Sequence, residues 1–169
     1  MEFGILSFQV LNNIEKMRYP FLIALFFLCR LPLWAQADLT VEITGVTILK
    51  GEIYVSIYSK ESTFMNTDQA FGKVKVPANQ AAVNVKLKDV PAGDYAVAVF
   101  QDLNANAVLD VSEMKIPKEP FGFSNNTKGL KGPATFQQAK IHLQGDTAIK
   151  VELVNNLATP NKDKSENPK

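Results

Sequence analysis

The feature that most constrains this chain is a period-two alternation of apolar and polar residues, repeated in one segment after another. Leu39, Val41 and Ile43 alternate with Thr40, Glu42 and Thr44. Ile53, Val55 and Ile57 alternate with Tyr54, Ser56 and Tyr58, and Val83, Val85 and Leu87 with Asn84, Lys86 and Lys88. Successive side chains of an extended strand point to opposite faces, so each segment can bury one face and wet the other. Tyr95–Phe100 is apolar on both faces and is expected to be a central strand. Ile141 and Leu143, then Ile149, Val151 and Leu153, flank Gly145-Asp146, which reads as a two-residue hairpin turn. Phe71–Val76 adds a weaker strand. Asn66–Ala70 reads as one short helical turn, and Pro91-Ala92-Gly93 as a turn before the central strand. About seven short strands and no long helix predict an all-β fold, a single antiparallel β-sandwich.

The N-terminus bears on compartment. Met17-Arg18 precedes Phe21–Cys29, a short, strongly apolar run, and Leu31-Pro32-Leu33-Trp34 and Ala35-Gln36-Ala37 follow. A charged start, an apolar centre and a small-x-small site are the marks of a secretory signal peptide. Arg30 and Pro32 stop the run short of the ~20 apolar residues that a membrane-spanning helix needs. Residues 1–37 are therefore expected to be a signal peptide, with 1–16 an over-extended start. Residues 38–154 are expected to form the sandwich, and 155–169 a polar, disordered tail. The protein would then be exported, to a periplasm or out of the cell.

Cleavage after Ala37 removes Cys29, the single cysteine, so no disulfide or cysteine metal site is expected. It leaves fifteen basic and fifteen acidic residues. That balance gives no reason to propose nucleic acid or an anionic membrane as partner, and no membrane span is expected after cleavage. The expected partner is an unknown ligand, or an envelope or extracellular protein.

One stretch looks like chemistry. Asp102–Glu113 places oxygen-bearing residues at positions 1, 3, 5, 9 and 12 of a twelve-residue loop. Calcium takes six to eight hard oxygen ligands, and this is the spacing of an EF-hand loop. Asp102, Asn104, Asn106, Asp110 and Glu113 would offer side-chain oxygens, Glu113 in bidentate fashion, and Val108 its backbone carbonyl. Pro117 and Pro120 follow closely, so the loop is expected on a β-scaffold rather than between two helices. Ala107 stands where Gly is expected. A turn with φ > 0 there strains Ala by roughly 1–2 kcal/mol. The other readings are a structural turn in which Asp and Asn cap their own backbone, and a site for another ion.

These motifs carry a resemblance. Leu87–Val97, the Asp102–Glu113 loop, Pro117–Asn126 and then Gly132-Pro133-Ala134-Thr135-Phe136 with Ala139 resemble the bacterial secreted family called domain of unknown function 2141. The resemblance covers roughly Leu39 to Leu153. It departs at Ala107, where the family usually carries Gly. It implies export and a transthyretin-like or Ig-like β-sandwich, akin to carboxypeptidase-regulatory domains, and no established activity.

A second constellation is Glu119, Phe121, Gly122, Phe123, Ser124, Asn125 and Asn126. It reads either as a ligand- or partner-binding loop, or as a connection pinned by Phe121 and Phe123 in the core. Glu119 is also a candidate ion ligand from outside the loop. His142, the only histidine, is expected to face solvent between Ile141 and Leu143. No Gly-x-Ser-x-Gly turn accompanies any serine. The expectation is a non-catalytic binding or scaffold module with a calcium loop. The alternatives are an envelope or accessory protein whose loop binds no ion, and a small hydrolase.

Overall fold

The computed structural model describes residues 36–114, 116–127 and 133–155. The expected signal peptide up to residue 35, and the expected tail beyond residue 155, lie outside the described residues. Among the described residues, eight strands follow in order: β1 (Gln36–Thr44), β2 (Glu52–Tyr58), β3 (Gly72–Pro77), β4 (Val83–Pro91), β5 (Gly93–Asp102), β6 (Phe121–Phe123), β7 (Lys140–Leu143) and β8 (Thr147–Glu152). They form a three-stranded sheet, β4-β1-β8, and a five-stranded sheet, β3-β2-β5-β6, with β7 also on β5. The all-β expectation holds. A 3-10 turn at Thr67–Gln69, capped by the Asn66 side chain, occupies the expected helical position. A single helical turn, α1 (Phe136–Ala139), is closed by a Thr135/Gln138 capping box.

The alternating segments behave as their pattern dictates. Leu39, Val41 and Ile43 of β1 and Ile53, Val55 and Ile57 of β2 are all fully buried, and they belong to one core cluster with Val97, Leu143 and Val151. Burying each such side chain contributes roughly 1.5–3 kcal/mol. A second cluster joins Tyr58, Ala96, Phe123, Ala134, Phe136 and Ala139, with Phe64 and Phe121 packed against it. Tyr95, Val97 and Val99 belong to the first cluster and Ala96 to the second, with Ala98 packed against that one. The strand is therefore apolar on both faces because both faces are covered.

Three features depart from the sequence reading. The Gly145-Asp146 turn does not join a paired hairpin: β7 pairs with β5 in one sheet, and β8 pairs with β1 in the other. The turn carries the chain across the sandwich, so Leu143 and Val151 reach the same core from different sheets. The β1–β8 pairing is parallel, from Leu39↔Thr147 to Thr44↔Glu152, in an otherwise antiparallel structure. An eighth strand, β6, pairs Phe121 and Phe123 with Phe100 and Ala98 of β5. Three residues centred on Gly122 show too little alternation to be read as a strand. Gly122 is needed because a Cβ there would come within 2.7 Å of the Glu152 carbonyl oxygen.

Candidate functional site

The Asp/Asn loop springs from the end of β5 and closes on itself. Asp102 is 1 % exposed. Its Oδ1 accepts from the backbone N–H groups of Asn104 (3.2 Å) and Ala105 (2.7 Å), and its Oδ2 from that of Ala107 (2.7 Å). Asn104 Oδ1 accepts from Asn106 N (3.2 Å), and Asn106 Oδ1 from Val108 N (2.9 Å). These are successive Asx turns, in which a short side chain replaces the next backbone acceptor. The two amide nitrogens converge on one oxygen. Asn104 Nδ2 and Asn106 Nδ2 donate to Asp110 Oδ2 at 2.6 and 3.2 Å.

The clasp comes from outside the twelve residues. Glu119 is 4 % exposed. Its Oε1 accepts from Leu103 N (2.8 Å) and its Oε2 from Asp110 N (3.1 Å), so one carboxylate ties both ends of the loop together. Bonds of this kind to an ionised acceptor are roughly twice as strong as neutral ones. Gln101 N donates to Pro120 O and Lys118 N to Asp110 O, both at 2.8 Å, completing the closure. Glu113 stays outside: it is exposed and forms no ion pair among the described residues. Ile116 N and Ser112 N are instead tied to Ser112 and Ile116 across the turn that carries it.

This arrangement differs from the coordination sphere that the spacing suggests. Amide nitrogens, not oxygens, face Asp110, and Glu113 does not approach. Calcium needs oxygens, so both amides would have to turn over and further oxygens be recruited. Among the described residues, no group of three or more His, Cys, Asp or Glu is placed to hold a metal ion. Asp102, Asp110 and Glu119 form no ion pair among the described residues either.

The backbone strain expected at Ala107 is present, with φ 60°, and Ala105 shares it, with φ 65°. Only Gly adopts that region freely. Ala107→Gly should therefore stabilise the protein: relief of about 1–2 kcal/mol outweighs the ~0.4–1 kcal/mol lost through a more flexible unfolded chain. Calorimetric melting should show a rise of about 2–4 °C.

Two supports of the loop were not legible in the sequence. Gly51 lies in the turn before β2 with φ 76°, and a Cβ there would come 1.9 Å from the Asp102 carbonyl oxygen. Beside it, Gln101 Nε2 donates to the carbonyls of Ile48 (2.6 Å) and Lys50 (2.8 Å), fixing that turn against the root of the loop. A glycine-bearing turn was the only available signal. Next to the loop tip is a groove of about 890 Å³, lined by Tyr54, Phe64, Met65, Lys73, Lys75 and Val108 among others. Tyr54 stacks on Phe100 at 5.0 Å in its wall.

The second constellation is embedded in structure. Phe123 is buried and Phe121 half-buried. Ser124 is fully buried. Its Oγ accepts from Val97 N at 2.9 Å and donates to the Ala139 carbonyl. Asn125, at φ 60°, donates from Nδ2 to the carbonyls of Gln138 (3.1 Å) and Lys140 (3.0 Å). These residues tie β5, β6, α1 and β7 together. His142 is exposed on β7, with Nδ1 2.6 Å from Asp94 Oδ1.

Residues 41–151 match the model of a family described as an uncharacterized protein conserved in bacteria, DUF2141. The chain belongs to this family. The DUF2141 match begins inside β1 and ends inside β8, so it takes in both sheets, the Asp/Asn loop and the Glu119 clasp. No curated protein and no solved structure gives a match. Among the described residues, no helix is long and apolar enough to cross a membrane.

Proposed function

We propose that this DUF2141 chain is an exported, non-catalytic module that presents a preformed rim, the Asp/Asn loop with the groove beside it, to a ligand or an envelope or extracellular partner. The observation that carries this reading is the use of the two buried carboxylates. Asp102 and Glu119 accept five backbone N–H groups between them. They serve to hold a shape rather than to exchange protons with a substrate. The shape they hold projects Val108, 61 % exposed, on one side of the groove, with Met65, 39 % exposed, among its other lining residues. Exposed apolar side chains around a concave surface suit ligand binding. Anilinonaphthalene sulfonate, an apolar ring system with an anionic group, is a direct probe. It should bind the folded protein saturably, and Val108→Asp should weaken that binding several-fold without lowering the melting temperature. No saturable binding, or equal binding by the variant, would count against the groove.

A second reading has its own observation. Asn104, Asn106 and Asp110 converge on one point, in a region whose carboxylates have no cationic partner among the described residues. A calcium ion there would draw on Asp110, the two amide oxygens and Asp102. An ion that binds only the folded state adds about 2.7 kcal/mol at a hundredfold excess over Kd. On this reading, millimolar calcium raises the melting temperature, magnesium does so less, and Asp110→Ala abolishes the effect. Identical melting in calcium and in chelator would leave the self-closed loop as the sole reading.

A further inference from the structure

The residues around Asp38 form a site that no part of the loop reading uses. Asp38 N donates to Asp146 Oδ1 at 2.9 Å. The Asp38 carboxylate pairs with Lys86 Nζ at 2.7 Å and accepts from Asp89 N at 3.3 Å. Three groups from two other parts of the fold therefore converge on one residue. The strand pairing changes at the same residue. The β1–β8 ladder begins at Leu39↔Thr147, immediately after it. The β1–β4 ladder shifts register between Ala37 and Leu39. Before Asp38, Gln36 and Ala37 still pair with Pro91 and Val90 of β4, whereas Leu39–Thr44 carries the whole of the β1–β8 ladder.

The small-x-small site Ala35-Gln36-Ala37 ends at this boundary. We propose that Asp38 is the N-terminus of the working protein, and that Asp146 is the built-in acceptor for the α-ammonium group released when the Ala37–Asp38 bond is cut. This rests on the signal-peptide reading and extends it to the fate of the new end. The cut is a hydrolysis: one water adds across the amide, Ala37 leaves as a carboxylate, and the Asp38 nitrogen takes up a proton at neutral pH. A backbone donor becomes a cation, and its acceptor is already a carboxylate at hydrogen-bond distance. Ala37, 3 % exposed, is the apolar contact that the cut removes. The Gly145-Asp146 turn, which makes no hairpin, gains a purpose here. Thr147 Oγ1 donates to Gly145 O at 2.7 Å and steadies it.

Among the described residues, the charged groups around the new end come from three elements. Lys86, Lys88 and Asp89 lie on β4, Asp146 on the β7–β8 turn, and the carboxylate of Asp38 on β1 itself. Lys86 already holds the Asp38 carboxyl below its usual range. An ammonium gaining an anionic partner has its pKa raised in the folded state. Its contribution is fully present below the ordinary α-amino value of ~7.7–8.0 and is lost as pH rises through the folded value.

The test begins with the mass of the exported protein. A chain beginning at Asp38 is expected. One beginning at Met17 would overturn the signal-peptide reading, and one beginning at another processed residue would overturn the inference alone. On the Asp38-initiated protein, an NMR titration of the α-amino group should give a value above ~8.0 that returns to the ordinary range in Asp146→Asn. The variant should melt about 1–3 °C lower near neutral pH and equally with wild type by about pH 10. In a chain beginning at Gln36, Asp38 N is an amide and the pH-dependent part should vanish. An α-amino titration unchanged by Asp146→Asn would overturn the proposal.

Discussion

Gly51→Ala should be among the most damaging single substitutions in the chain. Alanine strains a backbone at φ 76°, and its Cβ would lie 1.9 Å from the Asp102 carbonyl oxygen, far inside van der Waals contact. The neighbour is main chain at the root of the loop and cannot rotate away. Either the turn before β2 or the start of the loop must move, and moving Asp102 breaks three hydrogen bonds at once. The expected loss is on the order of 3 kcal/mol or more, the range of strained backbone combined with a broken buried network. Equilibrium urea denaturation measures it. Gly145→Ala is the internal control: its Cβ would meet nothing within 4 Å, so it should cost little. Equal stability of the two variants would mean that the turn does not press on the loop as described.

Glu119→Gln is the second large effect. Glutamine has nearly the same shape but one acceptor oxygen, so its NH2 group must face the N–H of either Leu103 or Asp110. One donor is left unpaired in a site where the side chain is 4 % exposed. The expected cost is about 1–3 kcal/mol. Glu113→Gln, at an exposed carboxylate with no ion-pair partner among the described residues, should lie within about 0.5 kcal/mol of wild type. The contrast separates a loop clasped by Glu119 from one closed by Glu113 around an ion.

That contrast also marks where the sequence stops being informative. The strands were legible because period-two patterning is a local property that β1, β2 and β4 each carry over six residues or more, and because the six residues Tyr95–Phe100 of β5 form a short continuous apolar run. The positive φ at Ala107 was legible from its place in the twelve-residue spacing. The role of Glu119 was not, because its partners Leu103 and Asp110 lie sixteen and nine residues away. Nothing local distinguishes its carboxylate from that of Glu113. Gly51 meets Asp102 only because β2 and β5 pair, which puts Glu52 opposite Asp102. The β7–β8 turn looked like a hairpin because Gly-Asp between two apolar segments is the usual hairpin signal. Which sheet each strand joins depends on the whole core and not on the turn. β6 escaped notice because three residues around a glycine show almost no alternation.

The Asp/Asn loop is closed by its own carboxylates, with Glu119 as the clasp. Amide hydrogen exchange in the presence of chelator tests this closure directly. In wild type, the Leu103 and Asp110 amides should be protected without calcium. In Glu119→Gln their exchange should speed up at least tenfold, while the Gln101 amide, bonded to the Pro120 carbonyl, should change far less. Leu103 and Asp110 amides that exchange at unprotected rates in wild type, and become protected only when calcium is added, would contradict the claim.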